Sequence, residues 1–406
     1  MKTIISNLML LTIICFSSMA QTAYITNTTA NTVSVINIAT NIVIDTIAVG
    51  TYPRAVSVSS DGSKVYIGNC VDNTVSVINT ANNTVSATIS VGSGPWGIAV
   101  CPDGTKVYVA NYGSNTVSVI NTLNNSILAT IPVGSYPRGI AVSPDGSKVY
   151  VTNTSSNSVS VINTATNAVS ATISVGNHPE SITVSPDGSM AYVTNYFDNS
   201  VSVINTTTNT VLTTITVGLS PWGITINNDG TKVYVVNNGS DNVSVINTFN
   251  NTVSATISVC SGLYGISVTP DGSKVYVPNF SNNSVNVINT ITNTVIDTII
   301  VGVGPTAFGN FISTHVSAIE IDSENIDSSR ISLYPNPANE KINIINNCNS
   351  TYANLSIFNI HGELILEHKL YNWDVFEIDI STLPKGVYFV KMQNDKNIDI
   401  KKLLIQ

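Results

Sequence analysis

Charge is scarce in this sequence: 10% of its 406 residues are Asp, Glu, Lys or Arg, histidine occurs four times, and the formal net charge is −8. Residues 22–312 hold seven Lys or Arg, spread along the chain and not clustered. A nucleic-acid surface needs clustered cations, so that class of partner is excluded. Long apolar runs are missing after residue 20, which leaves no transmembrane segment to expect. The five cysteines, Cys15, Cys70, Cys101, Cys260 and Cys348, include no Cys-x-x-Cys-His for haem attachment. Cys70, Cys101 and Cys260 fall at different places in the repeat described next, so free thiols are expected over disulfides. No cofactor and no metal site is expected.

What the sequence has instead is repetition. Asp-Gly recurs at 61, 103, 145, 187, 229 and 271, a strict spacing of 42 residues. Such a period marks a stack or ring of like units. Within residues 139–176 the runs GIAV, KVYVTN, SVSVINT and ATNAVSATISVG are separated by turn residues, giving four short strands per unit. The SPDG turn supplies a Pro with φ pre-set and a Gly for positive φ, which suits a tight hairpin. In KVYVTN the apolar residues run consecutively, so both faces of that strand should be buried. Four-stranded sheets stacked face to face around an axis make a β-propeller.

Tyr24 lies one period before Tyr66 and aligns with Tyr108, Tyr150, Tyr192, Tyr234 and Tyr276. That gives seven second strands. The N-terminal segment lacks a first strand, and GPTAFGNFI at 304–312 is a first strand with nothing after it. The expected fold is therefore all-β: a seven-bladed propeller closed by a C-terminal inner strand, followed by a small β-sandwich.

The Val-Tyr-Val-Thr-Asn at 149–153, the Val-Ser-Val-Ile-Asn at 159–163 and the preceding Ser-Pro-Asp-Gly resemble the YVTN family of β-propeller repeats. The resemblance covers roughly 22–312 and implies an extracellular or surface setting without naming a reaction.

Residues 1–20 carry Lys2, an apolar run from Leu8 to Phe16 and small residues at Ser18 and Ala20, the pattern of a signal peptide cleaved before Gln21. The propeller is expected over 21–312 and an acidic, polar linker over 313–330. From 331 to 406 alternating strands and turns predict the sandwich. This tail resembles the type A C-terminal sorting domain of the type IX secretion system of Bacteroidota. The resemblance rests on Tyr334-Pro335-Asn336-Pro337, Ile360-His361-Gly362, Gly386 and Tyr388 in LPKGVY, and the closing Lys401-Lys402. It implies the type IX secretion machinery as a partner, passage through the periplasm, and a secreted or surface location. It also implies removal of the domain as the cargo is released or attached to surface lipopolysaccharide.

The aligned Asp-Gly carboxylates are turn residues, since no turn adds the further oxygens a calcium loop requires. Positions that vary between units are free to serve something besides the unit. At 42-residue steps, the position opening each first strand reads Arg54, Trp96, Arg138, Glu180, Trp222, Tyr264 and Thr306. His178, Tyr52 and Tyr136 stand two residues earlier in their loops. Tyr112, Tyr196 and Phe280 follow the strand-ending Asn and should lie at the same end. This ring of aromatic and Arg side chains is the candidate ligand-binding face, with the two Trp as exposed anchors for a glycan, peptide or protein. Capping of the axial opening is the alternative use. An enzyme of lyase or lactonase type would have His178 and Glu180 as its acid/base pair, and a structural surface-layer module is a third class.

Overall fold

The computed structural model describes residues 19–318, 331–346, 352–359, 364–393 and 398–405. Two compact units emerge, one of them Met19–Ala318. It consists of seven four-stranded antiparallel sheets. The fourth is typical: Pro137–Val142, Lys148–Asn153, Ser158–Asn163 and Ala168–Ser174, paired in chain order. As the unbroken apolar run requires, Val149, Tyr150 and Val151 are all fully buried. Each core cluster joins neighbouring blades; Tyr66, Val75 and Val77 of the second blade pack with Val107, Val109 and Ile120 of the third. The tyrosine column is thus core packing between sheets.

Local chemistry repeats with the period. Ser143 and Ser147 hydroxyls donate to the two oxygens of Asp145, and the Ser147 amide donates to the first at 3.0 Å. These bonds hold the Asp145 carboxyl down at a pKa of about 2. At the other end of the second strand, the amide of Asn153 donates to Ser158 and Ser160, clamping that turn. Lysines staple one blade to the next: Lys148 Nζ donates to the Thr206 carbonyl at 2.7 Å, and Lys64, Lys106 and Lys232 do the same one blade away in each case. In the fifth blade Met190 occupies this position.

The ring closes between the seventh and first blades. Lys274 reaches the Ile38 carbonyl at 3.1 Å, Tyr276 donates to Asn41 at 2.6 Å, and Asn41 donates to Asp297 at 2.8 Å. Inside the first blade, the amide of Thr306 donates to the Thr26 carbonyl and that of Tyr24 to the Phe311 carbonyl. Residues 304–311 therefore run along Met19–Asn27 as expected, but irregularly. The regular inner strand is Ile312–Ala318, which pairs with Met19, Ala20, Gln21 and Ala23. Two corrections follow. The closing strand continues past 312, so residues 313–318 belong to the blade and not to a linker. The segment 304–311 is bent because Ala307 and Gly309 adopt positive φ, and Phe308 leans onto the second blade, its amide on the Arg54 carbonyl and its carbonyl accepting from Val56. The polar composition of STHVSA hid a strand held by backbone pairing.

Of the expected signal peptide, only Met19 and Ala20 lie within the described residues, where they extend the first strand. Residues 319–330, Cys15, Cys348 and the Ile360-His361-Gly362 motif lie outside them. Among the described residues the remaining cysteines are free, and no helix is long and apolar enough to cross a membrane.

The other unit contains two sheets, one of Ile331–Tyr334, Lys341–Asn346 and Val375–Asp379, the other of Leu364–Tyr371, Tyr352–Asn359, Gly386–Gln393 and Ile398–Ile405. They share one core that includes Ile342, Ile344, Leu355, Ile357, Tyr388, Val390 and Leu403. Tyr334 ends its strand exposed, Asn336 accepts from the Leu404 amide at 2.9 Å, and the Tyr388 hydroxyl donates to the Pro384 carbonyl at 2.8 Å. Pro335 and Pro337 follow cis peptide bonds, and Lys401 and Lys402 lie in the last strand.

Around the propeller axis the inner strands approach so closely that small side chains are required. Their third column reads Ala55, Gly97, Gly139, Ser181, Gly223, Gly265 and Ala307. A Cβ on Gly97 would stand 1.9 Å from the Arg138 carbonyl oxygen, whereas one on Gly272, at the rim, would meet nothing within 4 Å. Gly97→Ala should therefore cost more than about 3 kcal/mol or prevent folding, while Gly272→Ala should cost only about 1 kcal/mol through its positive φ. Thermal melts of the two variants check this ordering, and equal losses would contradict it.

Candidate ligand-binding face

Each loop entering a first strand is tied down before it delivers its side chain. The amide of Tyr52 donates to Asn31, that of Tyr136 to Asn115 and that of His178 to Asn157, every partner 21 residues earlier. A second tie comes from the next turn, where the Cys70, Thr154 and Tyr196 amides donate to the carbonyls of Tyr52, Tyr136 and His178. The geometry between these bonds is left-handed. At this position φ is 59° for Tyr52, 65° for Gly94, 56° for Tyr136, 57° for His178, 53° for Ser220, 80° for Gly262 and 72° for Gly304. Glycine takes up such a φ without strain; a bulky side chain does not.

Two residues on, the ring side chains meet over the axis. The Arg54 guanidinium lies 4.3 Å from the Trp96 ring centre, 4.8 Å from Tyr52 and 5.9 Å from Tyr264. That of Arg138 lies 4.6 Å from the same Trp96, 5.1 Å from Tyr112 and 5.6 Å from Trp222. The aromatic chain continues from Tyr196 to Trp222 at 5.5 Å, Trp222 to Tyr264 at 4.8 Å and Tyr264 to Phe280 at 5.7 Å. All ten residues singled out in the sequence thus belong to one connected layer: Arg54, Trp96, Tyr112, Arg138, His178, Glu180, Tyr196, Trp222, Tyr264 and Phe280.

Their exposures differ from the expectation of two exposed Trp anchors. Trp96 and Trp222 are half-buried, because both pack on Arg138. The accessible rings are Tyr136, 42% exposed and stacked on Tyr112 at 4.6 Å, Tyr52, and Phe197, 60% exposed with its ring 4.6 Å from that of His178. Sequence reasoning passed over Phe197. The signal was present, since its repeat column otherwise reads Thr29, Val71, Gly113, Ser155, Gly239 and Ser281.

Glu180 is fully buried, ion-paired to Arg138 Nη1, and its Oε1 also lies 3.0 Å from His178 Nδ1, while Oε2 has no partner among the described residues. A carboxylate already committed to a guanidinium is a weak candidate for a base acting on an outside molecule. The pair does lock the layer across the fourth and fifth blades. Below the layer, an axial cavity of about 560 Å³ runs from Gly97, Gly223 and Gly265 to the prolines of the Asp-Gly turns, Pro102, Pro144 and Pro270. Its lining holds Ser57, Thr183 and Thr225 but no charged side chain. Cys101, its one titratable group, is a thiol that burial pushes up to about 11.

A family model described as YNCE-like beta-propeller matches residues 51–148 and 130–231, and one described as secretion system C-terminal sorting domain matches 332–406. The chain is thus a β-propeller, matched as YNCE-like over residues 51–231, followed by a secretion-system C-terminal sorting domain. The sorting domain marks the propeller for the type IX machinery and for export to the cell surface or the medium. No curated protein matches it. Among solved structures, Kuenenia stuttgartiensis hydrazine synthase is 22% identical with a TM-score of 0.60, covering 70% of this chain and 99% of its own. A functionally unknown protein from Desulfotomaculum acetoxidans is 20% identical with a TM-score of 0.62, covering 71% and 100%. Likeness at this level shows the fold alone.

Replacing Glu180 by Leu strands the Arg138 charge in a site where its side chain is 11% exposed. Such a loss costs about 3 kcal/mol or more, which for this ring lowers Tm by at least about 5 °C. The double variant Arg138→Met with Glu180→Leu should recover at least half of that. Calorimetry decides, and an unchanged Tm for the single variant would show that the pair does not hold the layer.

Proposed function

We propose that the exported propeller is a binding module that takes a glycan on the face formed by Tyr52, Arg54, Tyr112, Tyr136, His178 and Phe197. The observation that carries this reading is the left-handed backbone at Tyr52, Tyr136 and His178. The fold accepts glycine at the same position in three other blades, so bulky side chains are held there at a cost of about 1 kcal/mol each. The Tyr136 and Tyr52 rings are, with Phe197, the accessible part of the aromatic layer, and each of the three loops is pinned by one hydrogen bond from its amide to an Asn side chain and one to its carbonyl from the next turn. Strain retained under a preorganised, half-exposed ring supports recognition more than packing.

Sugar is favoured over peptide by the kind of surface presented. The face is built from loop ends, and a peptide finds no free strand edge there to extend. Planar rings such as Tyr136 on Tyr112 match the apolar C–H face of a pyranose, and hydroxyl partners are at hand in the Asn- and Ser-rich loops. The enzyme reading keeps one observation, the His178–Glu180 contact, but Glu180 is enclosed and engaged by Arg138.

Tyr136→Gly separates binding from capping. It should leave Tm unchanged or slightly higher, since glycine relieves the positive φ, and weaken binding on a glycan array by about tenfold or more. A large drop in Tm with undiminished glycan binding by the folded variant would make the ring a cap for the axis and defeat the proposal.

A further inference from the structure

The propeller's cations are accounted for one by one, except Arg54. Lys64, Lys106, Lys148, Lys232 and Lys274 each donate Nζ to a carbonyl of the adjacent blade at the Asp-Gly end. Arg138 is ion-paired with Glu180. Arg54 has no ion pair among the described residues. Its Nη2 donates to the Tyr52 hydroxyl at 2.8 Å, and its Nε is enclosed without a partner. The nearby Asp72 turns its Oδ2 to the Thr51 amide at 2.6 Å. The Cys70 thiol, which sits close enough to feel the Arg54 charge, donates to the Pro95 carbonyl, and burial pushes its pKa up to about 12. It therefore stays neutral and adds no counter-charge.

A guanidinium walled by the rings of Tyr52, Trp96 and Tyr264 is partly desolvated, which strengthens its attraction for an anion. With Nε enclosed and one Nη2 proton on Tyr52, Nη1 and the second Nη2 proton form the planar pair suited to a carboxylate. Tyr52 ties this charge to the accessible ring surface, where it is the one cation of the face left without an anion. We infer that Arg54 is the anchor for an acidic sugar, its guanidinium gripping the carboxylate of a uronic acid residue while the sugar ring lies on the exposed tyrosines. This deepens, and rests on, the reading of the face as a glycan site. Arg138 takes no part in gripping the carboxylate, because Glu180 already neutralises it.

The test uses the full chain and three probes: a hexuronic acid tetrasaccharide, the same tetrasaccharide with its carboxyls reduced to alcohols, and a Glu-rich octapeptide. Binding is read by titration calorimetry and by tryptophan fluorescence, for which Trp96 is the reporter beside Arg54. The uronate should bind and change the fluorescence, and the reduced sugar should bind at least about tenfold more weakly. Arg54→Gln should lose affinity for the uronate by about tenfold to a hundredfold at unchanged Tm, with Arg54→Lys in between. Equal binding of both sugars, abolished by Tyr136→Gly, would overturn the Arg54 anchor while leaving the glycan site standing. Binding of neither sugar would overturn both, as would binding of the octapeptide alone. Undiminished uronate binding by folded Arg54→Gln would also overturn the anchor.

Discussion

Everything in the propeller depends on the ring being closed by a segment nearly three hundred residues away from the strand it completes. Tyr24 donates to Phe311 and Thr306 to Thr26 across that distance, and the hydroxyls of Thr26 and Thr28 meet that of Thr306 in the interior. Without this pairing the first blade would present an open inner edge and unpaired buried backbone groups. Phe311, fully buried in the cluster that joins the seventh, first and second blades, puts apolar packing behind the same seam. Closure fixes the spacing of all seven inner strands, and those strands set out the side chains of the face.

The closed axis imposes two demands that work against each other. In the middle of the inner strands the backbones nearly touch, so the third column is restricted to Gly, Ala and Ser. One residue earlier the same strands splay enough to admit Trp and Arg, and the layer they form covers this end of the axis. Charge is placed with the same economy. Five lysines serve as staples on carbonyls, one arginine is paired with the buried glutamate, and one arginine remains without an anion in a wall of rings.

Much of this was readable from the chain. The 42-residue period, the consecutive apolar residues of KVYVTN and the Asp-Gly turns specify blades because each acts locally, and a local rule repeated six or seven times is hard to misread. The ring position stood out because it varies between otherwise similar repeats and concentrates rare side chains, Arg54, Trp96, Arg138, Glu180 and Trp222 among them. What could not be read depends on three-dimensional context. The strand Ile312–Ala318 is polar and is held by backbone bonds, so no hydrophobic pattern announces it. The two Trp looked like exposed anchors, yet they share Arg138 between them, a contact across blades that no spacing encodes. The left-handed φ at Tyr136 is equally silent in the sequence until Gly94, Gly262 and Gly304 are seen to occupy its place.

The most direct measurement on this account is the thermal unfolding of a chain lacking residues 304–318, followed by circular dichroism beside the intact chain. Closure by that segment predicts that the single cooperative transition is lost or falls by more than about 10 °C, since an inner strand and its buried hydrogen bonds vanish together. An unchanged cooperative transition would mean that the ring stands without its closing strand, and the account of the fold and of the face built on it would be contradicted.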